Sequence, residues 1–174
     1  GSGQNALLCR YQSERNVIQQ QDQLMLEWAG VYRHYHAAMM RTMLFGEPRK
    51  AQLQMFDAAD QALSQTVAAL KPGNTFGDSF TEHARVFDEL GLSEHRLNAC
   101  GYSLGATFAP NWMDWPMQYE KNPTQIEVGM VIFTHMVLMN SETEHSMCLG
   151  HTIIVTPSGP ESVSKHSNQL IVVD

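Results

Sequence analysis

The sequence has no closely spaced cysteine pair, no excess of basic residues and no apolar run long enough to span a bilayer. Each absence removes a class of protein. Cys9, Cys100 and Cys148 are odd in number and far apart, which excludes a disulfide framework or a CxxC zinc site; reduced thiols and a cytoplasmic location are expected. Lys and Arg number 11 against 18 Asp and Glu, a net charge of −7, so the basic footprint of a nucleic-acid or anionic-membrane partner is missing. The most apolar stretch, 128–139, is interrupted by Gly129, Thr134 and His135, and no basic segment followed by an apolar one precedes it, so neither a membrane span nor a signal peptide is read. Phosphate polymers are poor candidate partners. What the chain does have is 43% hydrophobic residues in a length of 174, enough for one core.

Hydropathy and turn residues divide that core. Residues 24–29 read as a largely buried strand, and Tyr35–Phe45 as a second that pairs back across a bend at Gly30 and Arg33-His34. Pro48 is expected at the first position of a helix whose Leu53, Phe56, Leu63, Val67 and Leu70 recur three, four and seven apart, until Lys71-Pro72-Gly73 stops it. A second helix is expected with Asp78 as N-cap, Phe80, Ala84, Phe87 and Leu90 on its buried face, and Gly91 at its C-terminal end. The rest reads as short strands at 130–138, 152–156 and 170–173, with a glycine-bracketed segment at 101–105 and an aromatic loop at 110–116. Strands, two helices and more strands make an α+β domain.

Six pieces of the chain carry a family resemblance. They are Glu27-x-Ala29, the run from Tyr35 through His36, Ala37, Ala38, Met39, Met40 and Arg41 to Thr42, Lys71-Pro72-Gly73, Gly101-Tyr102-Ser103-Leu104-Gly105, Gly129-Met130, and Val155-Thr156-x-x-Gly159. In that order and spacing the chain resembles the pita-bread hydrolases, among them methionine aminopeptidase, Xaa-Pro aminopeptidase, prolidase, creatinase and ectoine hydrolase. The resemblance implies a pita-bread fold: a curved antiparallel sheet with helices on its outer face. It further implies that residues 1–174 are the C-terminal part of a catalytic-type domain, with more of the domain upstream. Sheet and helix surface left bare by that division leads us to expect either a homodimer or dependence on the upstream segment.

The chemistry departs from the peptidases, which hold two divalent ions with two Asp, one His and two Glu. The resemblance places those five ligands at Glu27, at Ala38 eleven residues on, at Tyr102, at His135 six residues after Gly129, and at Gly150. One carboxylate among five positions implies no metal site and no cofactor. A single ion on Glu27 and His135, helped by His36 or His151, would lack the oxygen ligands hard metals need.

Creatinase and ectoine hydrolase, as the resemblance has it, cleave carbon–nitrogen bonds of small charged metabolites without metals, which implies a small-molecule substrate here. Tyr35, Ala38, Arg41 and Thr42 look like creatinase; Tyr102 with Pro110-x-Trp112 looks like ectoine hydrolase. Where those relatives carry a working histidine, this chain has Cys9-Arg10-Tyr11, and a guanidinium cannot act as base at neutral pH. The expected enzyme is therefore a metal-independent hydrolase with Glu27 and His135 as acid/base pair, the carboxylate raising the histidine's pKa. Tyr102 would donate a hydrogen bond, and Arg10, His36, Arg41 and Trp112 would bind substrate. Plainer roles stay open. Glu27 would ion-pair with Arg41, His135 would be a core histidine, Arg10 a solvated arginine, and Trp112 a loop anchor. His36 is read as alternating with the face of Ala38. An Xaa-Pro peptidase and a non-catalytic binder of a peptide or metabolite are the competing functions.

Overall fold

The structure, a computed structural model, describes residues 1–8, 14 and 16–174. After a short 3-10 turn, the elements are β1 (Gln23–Tyr32), β2 (Tyr35–Phe45), α1 (Lys50–Ala68), α2 (Phe76–Glu89), β3 (Ala99–Leu104), β4 (Met113–Tyr119), β5 (Val131–Asn140), β6 (His145–Thr156), β7 (Gly159–Ser162) and β8 (Ile171–Val173). Six strands form one path in the order β1-β2-β6-β5-β3-β4, antiparallel throughout; β7 pairs with β6, and β8 adds in parallel to β2. No helix among the described residues is long and apolar enough to cross a membrane.

Alternation along the strands gives the sheet two faces. Met136, Leu138, Met147 and Leu149 point to one, where Ala59, Ala62 and Leu63 of α1 and Phe80, Val86 and Phe87 of α2 cover them. Both helices therefore sit on a single face, as expected. Ala38, Met40, Tyr102, Phe133, Val137 and Cys148 cluster on the other. The β1–β2 hairpin closes at Tyr32↔Tyr35, with Arg33 and His34 at φ 49° and 69°, the backbone of a tight two-residue turn; β1 runs straight through Gly30 instead of bending there.

Several local expectations change. Helix α1 begins at Lys50, so Pro48 stands just outside it, and the Gln52 side chain accepts the backbone N–H of Arg49 (2.9 Å). Thr75, not Asp78, caps α2: its hydroxyl accepts from Asp78 N (3.1 Å), while the Asp78 carboxylate accepts from Thr75 N (2.7 Å) and the Thr75 hydroxyl (2.9 Å). A carboxylate three residues after a threonine is the mark of a reciprocal cap, and it reads as the cap itself when only residue type is weighed. At the other end Gly91 has φ 72°, with Gly91 N bonded to Asp88 O and Leu92 N to Phe87 O, a Schellman ending. Leu90 is 49% exposed and leaves the buried face. The aromatic stretch 110–116 is only partly loop; from Met113 it is β4, which tolerates Pro116 because β4 ends the sheet. Strand β6 starts at His145, seven residues before the expected start, because Ser146–Gly150 are buried in the sheet.

The cap gives a first testable result. Thr75→Ala is expected to destabilise the protein by about 1 kcal/mol in urea unfolding. The Thr75 backbone N–H, then its hydroxyl, hold the Asp78 carboxyl below its ordinary value. Its contribution is present above that ordinary value and lost on acidification through the lowered one. The variant should therefore lose stability at neutral pH and show a smaller difference from wild type in acid.

Candidate active site

Strand register assembles the site. Glu27 pairs with Met40, Met40 with Gly150, and Gly150 with His135, so the four residues form one row across β1, β2, β6 and β5 on the face away from the helices. Tyr102 on β3 pairs with Phe133, one side-chain step from His135 on that face. On a flat sheet β1 and β3 would lie four strand spacings apart, roughly 19 Å. A tyrosine and a glutamate cannot bridge that gap. Yet the Tyr102 hydroxyl donates to Glu27 Oε1 at 3.1 Å, so the sheet must curl over this face, as the expected curvature requires.

Under the curl lies a cavity of about 180 Å³ lined by Glu27, Tyr102, Trp112 and His135, with Met25, Met40 and Met113 among its apolar walls. Trp112 Nε1–H donates to the Tyr102 hydroxyl oxygen at 3.0 Å. With that oxygen's acceptor capacity engaged, the phenolic proton points toward Glu27. Glu27 itself is solvent-exposed, not sealed in an apolar strand. Tyr102 is buried, its ring edge-on to Phe133 (5.4 Å) and tilted against His135 (5.7 Å).

His135 is buried and its Nδ1 has no hydrogen-bond partner among the described residues. Burial pushes its pKa down from 6.5 to about 4, opposite to the expected rise. Desolvation is the largest influence on the ring. At pH 7 the imidazole is neutral. Cys148 also lies on this face, but burial raises its thiol to about 11, and Cys100 is likewise pushed up by burial; neither is a nucleophile at neutral pH.

The other expected site residues are elsewhere. His36 shares the face of Ala38, since side chains two apart on a strand point the same way, which corrects the alternation read from sequence. It sits near the hairpin end, its Nδ1 paired with Thr107 Oγ1 (3.2 Å), outside the cavity lining. Arg41 falls on the opposite face, between Met40 and Thr42. There it donates to Met40 O (2.6 Å), Gly150 O (3.1 Å) and a ring nitrogen of His151 (3.1 Å). It is a buried strut across β2 and β6 and does not line the cavity. Arg10 lies outside the described residues.

The inherited metal positions do not fit a divalent ion. Ala38 and Gly150 offer no ligand atom, Tyr102 is a phenol, and no group of three His, Cys, Asp or Glu among the described residues could hold a metal. Gly150 is also sterically committed. A Cβ there would lie 2.9 Å from the His135 Cβ and 3.1 Å from two Phe133 ring carbons. Gly150→Ala is expected to cost about 1–3 kcal/mol and to move the His135 ring signals in NMR spectra. An unchanged imidazole would mean the contact relaxes elsewhere.

A curled antiparallel sheet backed by two helices, with its cleft on the open face, defines the pita-bread class. The chain belongs to metallopeptidase family M24, whose model matches residues 1–157. It is 28% identical to ectoine hydrolase of Halomonas elongata over 147 residues, covering 84% of this chain and 36% of that protein. It is 21% identical to the Xaa-Pro dipeptidase of Pyrococcus furiosus over 98% of this chain and 47% of that one. The structure of an Xaa-Pro dipeptidase from Bacillus anthracis superposes with a TM-score of 0.91 at 22% identity, covering 99% of this chain and 47% of the other. The chain thus spans less than half the length of these relatives.

Proposed function

We propose that this chain contributes the active site of a metal-independent hydrolase that cleaves a C–N bond of a small charged metabolite, in the manner of creatinase and ectoine hydrolase. One observation carries the reading: a Trp112–Tyr102–Glu27 hydrogen-bond relay stands in the cavity where the family's metal ligands would be. Glu27, open to solvent, takes a proton from the attacking water. The Tyr102 hydroxyl, oriented by Trp112, swings its hydrogen bond to the oxygen that gains charge as the tetrahedral centre forms. Glu27 then returns the proton to the leaving nitrogen. His135, neutral at pH 7, offers the substrate a hydrogen bond without competing for Glu27's charge. A cavity of about 180 Å³ has room for a small metabolite.

Similarity to Xaa-Pro dipeptidases supports a second reading, a peptidase, and a binder without turnover is the third. Chelator-treated full-length protein, screened with small N-acyl and guanidino compounds, should release amine or ammonia. Turnover of Xaa-Pro dipeptides alone, and only after metal addition, would favour the peptidase; tight binding of a screened compound with no turnover would favour the binder. The reading also includes the cytoplasm, supported by the buried, free Cys100 and Cys148, and a homodimer, supported by the exposed Val31, Tyr32, Tyr35 and Phe108 around the hairpin.

A further inference from the structure

The cavity is built from two half-sheets, and its working groups are divided between them. Glu27 belongs to the β1–β2 hairpin; His135, Tyr102 and Trp112 belong to the half made by β6, β5, β3 and β4. Within the halves, β1–β2 and β5–β6 stay in register along their whole length, from Gln23↔Leu44 to Tyr32↔Tyr35 and from Val131↔Ile154 to Asn140↔His145. Between the halves, β2 and β6 are in register only at Met39↔His151 and Met40↔Gly150 among the described residues.

Two threonine hydroxyls continue the seam where the ladder stops. Thr42 Oγ1 accepts from Cys148 N (2.7 Å) and donates to Cys148 O (3.1 Å). Thr152 Oγ1 accepts from Ala38 N and donates to Ala38 O, both 2.8 Å. The arrangement is reciprocal: Thr42, two residues beyond Met40, completes the backbone of β6, and Thr152, two beyond Gly150, completes that of β2. It is centred on the Met40↔Gly150 pair, which lies in the row joining Glu27 to His135. Both side chains are buried, at 4% and 3% exposure, so water cannot replace either hydroxyl. A hydroxyl inserted between two backbones also holds them farther apart than a direct N–H···O=C bond. The seam therefore sets both the register and the spacing of the two halves.

We propose that Thr42 and Thr152 are positioning residues: they fix the Glu27 half of the cavity against the Tyr102 half, so that the Tyr102–Glu27 hydrogen bond, a contact within the cavity that spans the seam, keeps its length. This rests on the hydrolase reading only where turnover is concerned, because the alignment is measurable without substrate. In the full-length protein, the ring-carbon NMR signal of labelled Tyr102 should move in Glu27→Gln, which marks the response to altering the bond. Thr42→Val and Thr152→Val, which keep side-chain shape and lose the hydroxyl, should move it in the same direction by at least about half as much. The serine variants should restore it. With a turned-over substrate in hand, the valine variants should lose about tenfold or more in kcat with KM changed less than about threefold, the pattern of misplaced reacting groups. Folded valine variants whose Tyr102 signal stays at the wild-type position would overturn the proposal. Should a valine variant fail to fold, Thr→Cys at that site, keeping a weaker donor and acceptor, must shift the signal part-way; no shift there overturns the proposal equally. A shifted signal in a protein that turns over nothing would count against the hydrolase reading and leave the positioning role standing.

Discussion

Replacing Glu27 by glutamine is expected to lower kcat by about 10²–10⁴-fold, the usual weight of a positioned general base. The change keeps shape, so it isolates proton transfer. Glutamine still accepts the Tyr102 hydrogen bond seen at 3.1 Å, and β1 keeps its pairing with β2. Folding and ligand binding should therefore survive with KM little changed. Tyr102→Phe should cost less, about 10²-fold, by removing the donor to the developing oxyanion. It would also leave the Trp112 indole N–H without its 3.0 Å acceptor, and that loss is visible directly as faster exchange of the indole proton. If Glu27→Gln retains turnover within threefold of wild type, the base lies elsewhere.

Acidification should destabilise the protein strongly, through histidines the fold keeps neutral. Burial holds His135 at about 4 and His83, on the helix side against Phe80, Phe87 and the Met136 sulfur, at about 3. Both titrate near 6.5 when unfolded. Between about pH 6.5 and 4 the unfolded chain thus binds more protons than the folded one, and stability falls as pH falls. Integrated over that window, each histidine contributes a loss of about 3 kcal/mol, large against a total of about 5–15 kcal/mol. His145 and His151 are lowered by burial as well and act in the same direction. Urea midpoints at pH 7 and pH 4.5 test this: a marked drop is expected in wild type, and a smaller one in a folded His83→Phe variant. Equal midpoints at the two pH values would show that neither ring is held neutral.

The fold was legible because its cues are local. The Arg33-His34 turn, the stop at Lys71-Pro72-Gly73, and Gly91 after α2 are set by backbone chemistry within a few residues, and family order supplied the sheet. Which residues meet was less legible, because that depends on parity and curl. The family resemblance implied that Glu27, Tyr102, Trp112 and His135 share a site, and in the structure the four line one cavity. Arg41 was misplaced through neglect of alternation: as the neighbour of Met40 it must face the helices. The neutral state of His135 was out of reach for a different reason. Sequence shows a carboxylate in the same site, whereas burial of the ring emerges only from packing. Thr42 stood in the sequence only as the end of a family motif and Thr152 not at all, because threonine in a strand is ordinary and their significance lies in the shortness of the seam between them.

The chain has the M24 fold, and the central proposal is that a Glu27–Tyr102 pair does in it the work of a metal pair. The most direct measurement is turnover of the full-length protein after exhaustive chelation, with metal content determined on the same sample. Full activity is expected with well under about one equivalent of metal per chain, and no stimulation by added manganese, cobalt or zinc. Activity that vanishes on chelation and returns as two equivalents of metal bind would contradict it.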